Sequence, residues 1–256
     1  MFLEANLMSG AFVSAIFSIP GFIASYISID LMHTGDLGVL QYLLGNVLWE
    51  LFIVLGGTKA NSLKALGELM VMIRMASRHL NMRCPVGYLT LPMIKAEGAA
   101  KSPKLKLNAS EMRHMLKVVH FMLAHLFNRD TTHEQLRFDC VNSLHKMYTE
   151  LEGRSWGPEV AARVASLGRG HVILYAELAR EFLDARGHLE SGWVLWRMFP
   201  KHHLFLHVVE DELALVGNPR ECWTYGDERA IGAAVDLAER SHPNTLHRFV
   251  VARYRL

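Results

Sequence analysis

Apolar residues recur along most of this chain with the three-to-four-residue period of helices, and the exceptions cluster at its start. Residues 7–29 carry no charge, and Ile19-Pro20-Gly21 breaks that run in the middle. Beyond the break, Phe22 to Ile29 is rich in β-branched and aromatic side chains, the pattern of a buried strand. From Val39 to Leu55 apolar side chains fall on every face, which predicts a central buried helix stopped by Gly56-Gly57. Lys59 to Leu80 returns to helical period, with Leu63, Leu66, Leu69, Met70 and Ile73 on a shared face. Cys84 to Pro103 is irregular apart from a short helix over Leu91 to Glu97. Two further helices announce their starts. Asn108-Ala109-Ser110-Glu111 and Thr131-Thr132-His133-Glu134 each pair a capping side chain with a glutamate three residues on, and the helices run to Phe127 and Glu150. Pro158 sits at a favoured first position of a long helix to Arg186, weakened near Gly168 and Gly170. Lys201 to Val216, Asp227 to Arg240 and Pro243 to Arg253 complete the helical set, with a turn at Gly217-Asn218-Pro219. The fold class is therefore mainly α: a helical globular body with one or two strands near the N-terminus. Residues 1–256 read as a single domain, divisible into a buried N-terminal strand and helix (1–58), a helical block (59–198) and C-terminal helices (199–256).

Composition supports a buried core, with 51% hydrophobic and 20% charged residues. A net charge of +2 calls for no polyanionic partner, so any nucleic-acid surface must be a local patch. Lys101, Lys104 and Lys106 form one such cluster, and Arg248, Arg253 and Arg255 with His247 another. Cys84, Cys140 and Cys222 lie far apart and imply reduced thiols rather than a disulfide framework. A membrane-associated protein is the alternative at the N-terminus. As a helix, residues 7–29 would reach about 34 Å at about 1.5 Å per residue, and Leu37 to Gly57 is a second apolar stretch. The second contains Gln41, Asn46 and Glu50. An acid at mid-bilayer costs roughly 2.5–3.5 kcal/mol, so a buried core is the better reading.

The chain carries no nucleotide-binding glycine loop and no GxSxG elbow. Three clusters could carry chemistry. His203 and His207 stand one helical turn apart with Glu210 continuing that face, two imidazoles and a carboxylate able to hold zinc or another divalent ion. No glutamate lies between the histidines as in a zincin, and a packed amphipathic helix with a polar flank is the better reading of the segment. Asp30, His33 and Asp36 form the second cluster, with Asp36 placed to cap the buried helix. In the third, Asp227 and Glu228 follow Trp223 and Tyr225 and open a helix, where acids suit the macrodipole.

In order, these pieces resemble a known family. Asp30-Leu31-Met32-His33, then Asp36-Leu37-Gly38-Val39 and Gly45-Asn46-Val47-Leu48-Trp49-Glu50, resemble the stretch of CACTA-like cut-and-paste transposases that carries a D-x-x-H signature after the second catalytic aspartate. Pro200-Lys201-His202-His203-Leu204-Phe205-Leu206-His207 is similar to a later segment of the same group, as are the following Asn218-Pro219, Trp223 and Asp227-Glu228. The resemblance covers about Ile19 to Leu51 and Phe199 to Ile231. It implies a remnant of an RNase H-like sheet interrupted by a helical insertion, here about residues 59 to 198. It also implies a DNA partner, a nuclear location and a two-metal site of three carboxylates holding magnesium. Glu228 would match the third carboxylate, and Asp30 and His33 the accessory signature. The first two aspartates would precede Asp30, yet residues 1–29 contain none. The resemblance thus implies a transposase-derived, catalytically incomplete DNA-associated protein, close to Asp30, His33 and Glu228 gathered in space. A helical interaction protein with no active site is the other alternative.

Overall fold

Leu31 to Val54 winds into one continuous helix whose apolar side chains are part of the hydrophobic core. In the computed structural model, residues 29–58, 60–94, 102–185, 194–213, 217–222 and 224 are described. The first helix, α1 (Met32–Val54), begins as a π-helical stretch, Met32–Val39, and continues as an α-helix, Leu40–Val54. Asp30 caps its start by accepting the backbone N–H of Met32 at 3.0 Å and of His33 at 3.3 Å. Asp36 is not the cap its position suggests. It lies inside the π-helical stretch, fully buried, where the Tyr148 hydroxyl donates to it at 2.5 Å and Arg113 stands 3.5 Å away. Leu40, Leu43, Leu44, Val47, Leu48 and Leu51 are all solvent-free, and they join one hydrophobic cluster extending from Leu31 to Leu213.

The remaining elements follow the periodicity. Helix α2 (Ser62–His79) buries Ala65, Leu66, Leu69, Met70, Ile73 and Ala76, but Leu63, expected on that face, is 87% exposed. A short α3 spans Leu91–Ile94. Helix α4 (Ala109–His125) and helix α5 (Thr132–Leu151) each begin with a complete capping box, Asn108 with Glu111 and Thr131 with Glu134. Helix α6 (Pro158–Ala185) runs unbroken through Gly168 and Gly170 and pairs along its length with α5. Helix α7 (Pro200–His207) passes into a π-helical turn, Val208–Glu212, and packs on the start of α1. A 3-10 turn, Pro219–Cys222, follows the positive-φ Gly217. Among the described residues the fold is mainly helical, with no strand.

The expected strand over Phe22 to Ile29 and the helices over Asp227 to Arg240 and Pro243 to Arg253 lie outside the described residues, Ile29 excepted. So does most of the apolar run 7–29. The second apolar stretch is for the most part covered by the rest of the protein. Met32–Val54 is long and apolar enough to cross a membrane, with mean hydropathy 1.6, yet 67% of that window is buried within the protein itself.

A polar network ties α1 to its surroundings. The Glu50 carboxylate accepts from Trp196 Nε1 at 2.6 Å, Arg137 Nη1 at 2.9 Å and His133 Nε2 at 3.1 Å, and His133 Nδ1 meets Glu181 at 3.0 Å. One turn earlier, Asn46 Oδ1 accepts the Trp196 backbone N–H at 2.9 Å, while its amide donates to the Tyr42 carbonyl and the Tyr175 hydroxyl. Trp196 adopts φ +55°, and these bonds hold it there. Burial alone would raise the Glu50 pKa, but the His133, Arg137 and Trp196 contacts outweigh it and hold the carboxylate below its ordinary value.

Candidate functional site

Two segments about 170 residues apart in sequence meet over the start of α1. Lys201, on the first turn of α7, lays its ammonium against the α1 carbonyls of His33, at 3.0 Å, and Leu37, at 2.7 Å. Its stem crosses α1 at Gly38, where a Cβ would stand 2.8 Å from Lys201 Cδ. At the end of the π-turn, Glu212 accepts the Ile29 backbone N–H at 2.7 Å, and farther on Thr224 Oγ1 donates to Asp30 Oδ2 at 2.7 Å. The His33 ring contacts the same carboxylate oxygen through Nδ1. Asp30 is thus a helix cap and a junction at once. Burial works against its charge, but the Thr224 and His33 hydrogen bonds prevail, and its pKa sits below the ordinary carboxylate value.

Beside this junction lies a cationic patch with an aromatic centre. The rings of Tyr42, on α1, and Phe199, just before α7, stack with centroids 3.9 Å apart and planes 19° apart. Lys104 Nζ stands 5.6 Å from the Tyr42 ring, and the Arg197 guanidinium 5.4 Å from that of Phe199. Lys201 completes the group. Partial burial, and after it the nearby Lys104 charge, lower its pKa. Lys104 reaches this place because the 102–108 segment runs directly over α1. Leu105 N donates to the Gln41 carbonyl at 2.9 Å, and a Cβ on Gly45 would stand 2.7 Å from Lys104 N. The glycines of Asp36-Leu37-Gly38-Val39 and Gly45-Asn46, seven residues apart, therefore admit the two lysines on one face of α1.

The residues expected at sites divide as follows. Asp30 and His33 come together, with Thr224 as a partner the sequence did not single out. Glu228 lies outside the described residues. His203 and His207 also come together, their Nε2 atoms 3.1 Å apart. Glu210 does not join them, because its carboxylate turns to Arg169 Nε at 2.6 Å. Asp211 takes the place expected of it, with Oδ2 2.6 Å from His207 Nδ1. Among the described residues, no three His, Cys, Asp or Glu side chains are grouped to hold a metal ion.

A cleft of about 670 Å³ where α4, α5 and α6 meet is lined by His120, His145, Lys146, Arg163 and Ser166 among others. The two imidazoles stack in parallel, 4.1 Å apart, and burial lowers the pKa of both, that of His145 to about 4. No protein-family model matches this chain, and no curated protein or solved structure is significantly similar to it.

Proposed function

We propose that this chain is a transposase-derived protein that associates with DNA without cutting it. One observation carries the reading most: the two stretches that resemble the CACTA-like group pack onto each other, with Thr224 of the later stretch hydrogen-bonded to Asp30 of the earlier one. Residues 59–198 then occupy the position of a helical insertion between them. The patch of Lys104, Arg197 and Lys201 around the Tyr42–Phe199 stack supports a DNA partner. Cations neutralise backbone phosphates, and the half-buried Tyr42–Phe199 stack holds the three of them on one face. Two-metal phosphodiester chemistry gathers several carboxylates around its ions. Within these 256 residues the resemblance matches Glu228 alone to that set.

The test is a titration of labelled duplex DNA with the full chain, run beside a nicking and strand-transfer assay with magnesium or manganese. Non-specific binding with a Kd on the order of 10⁻⁴–10⁻⁶ M at physiological salt is expected, with no metal-dependent breakage. Absence of binding even at low salt, or metal-dependent cleavage by these 256 residues, would overturn the proposal. A second reading, a helical interaction protein, is favoured by the outer face of α2, where Leu63, Val71 and Met75 are exposed at four- and eight-residue spacings. Self-association of the chain without DNA would support that reading.

A further inference from the structure

The π-helical turn that follows α7 sets Asp211 against the second of two histidines whose spacing alone does not reveal their geometry. The rings of His203 and His207 are perpendicular, with centroids 4.5 Å apart and planes at 77°, so that edge meets face rather than ring stacking on ring. Their Nε2 atoms point at each other across 3.1 Å. Two imidazole nitrogens bound to a tetrahedral ion at about 2.0–2.1 Å would stand about 3.3 Å apart. The observed gap is within a few tenths of an ångström of that edge.

We propose that His203 and His207 form a two-histidine chelate for a divalent transition-metal ion of the zinc class, with Asp211 as the residue that orients His207. Asp211 Oδ2 lies 2.6 Å from His207 Nδ1, so the imidazole carries its proton on Nδ1 and directs the Nε2 lone pair toward His203. This carboxylate–histidine arrangement fixes both tautomer and ring orientation before any ion arrives. The side chains of His207 and Asp211 are 44% and 62% exposed and His203 is exposed too. Water can therefore complete the coordination, and the ion has an open path. Glu210 is withdrawn by Arg169, so the protein supplies two ligands and the site stays open to exchange. Without an ion, the His203 Nε2–H donates to His207 Nε2, and binding exchanges that single hydrogen bond for two metal bonds as the His203 proton moves from Nε2 to Nδ1. Softer donors are absent, which favours ions that accept imidazole, with copper(II) above zinc in intrinsic affinity.

This site is independent of the DNA reading and is tested without nucleic acid. Zinc chloride is titrated calorimetrically into the full chain at neutral pH, with far-UV circular dichroism confirming the fold of each variant. Because the chain has fourteen histidines, His114→Ala, which removes an exposed imidazole on α4, serves as the control. His203→Ala and His207→Ala should each abolish one zinc equivalent, while His114→Ala leaves it intact. Asp211→Asn should retain the equivalent but weaken it about 10-fold, the usual scale for loss of an orienting partner. Wild-type zinc affinity and stoichiometry in both histidine variants would overturn the proposal. An Asp211→Asn variant that binds as tightly as wild type would remove the orienting role.

Discussion

Glu50 makes the apolar N-terminal helix part of a protein interior. Its carboxylate compensates the buried Arg137 and takes the indole N–H of Trp196, so removing it strands a charge and a donor together. Glu50→Ala is expected to destabilise the fold by about 3–5 kcal/mol, read as a shift in the urea midpoint. A loss below about 1 kcal/mol would mean the network is dispensable. Gly45 matters for a different reason. A methyl there would meet Lys104 N, Leu105 N and Lys104 Cα at 2.7–2.8 Å, and these are backbone atoms that cannot swing aside. Gly45→Ala should therefore cost about 1–3 kcal/mol or more and displace Lys104 from the cationic patch. The same variant with unchanged stability would show that the 102–108 segment does not cross α1 so closely.

At the scale of elements, what is local was legible and what is convergent was not. Both capping boxes follow from four-residue patterns, and both are present. Asn108→Ala and Thr131→Ala are each expected to cost about 1 kcal/mol, measured by thermal unfolding, and no change in either would separate the caps from stability. The core face of α2 was readable from Leu66, Leu69, Met70 and Ile73 because periodicity reports burial directly. Leu63 misled because it falls on the outer side of the helix with Val71 and Met75, while Ala65 and Leu66 beside it are buried. Asp36 misled because a π-helical stretch begins earlier than the α-helical pattern suggests, turning a capping position into an interior one. The choice of Glu210 over Asp211 failed for a related reason. An i→i+5 hydrogen-bonding turn winds less per residue, so the side chain under His207 comes one position later. Lys104 was visible as part of a basic cluster, but nothing local could place Arg197 and Lys201 beside it.

For the whole molecule, the histidines set an optimum of stability with pH. Burial lowers the pKa of His171, His202 and His145 to about 4, below the unfolded value of about 6.5, so the unfolded chain binds more protons between those limits. Stability therefore falls as pH drops from about 6.5 toward 4, with the fully buried His171 alone contributing on the order of 3 kcal/mol. His133 acts with the opposite sign. Its hydrogen bond to Glu50 raises its pKa to about 9, so its stabilising contribution is complete below about 6.5 and is lost as pH rises through 9. A maximum of denaturation midpoint near pH 6.5 is expected, and Glu50→Ala should flatten the alkaline side. A midpoint that rises steadily from pH 5 to 9 would contradict the His133 assignment, and one that does not fall as pH drops below about 6.5 would contradict that of the buried histidines.

Association with DNA through the Lys104–Arg197 patch is open to one direct measurement, the salt dependence of binding to a duplex of about 25 base pairs between about 50 and 200 mM salt. Each phosphate contact contributes about 0.9 to the slope of log affinity against log salt concentration. The Lys104→Ala/Arg197→Ala double variant should bind more weakly, with a slope shallower than wild type by about 1.8. Equal slopes for the two proteins would contradict the assignment of DNA to this face.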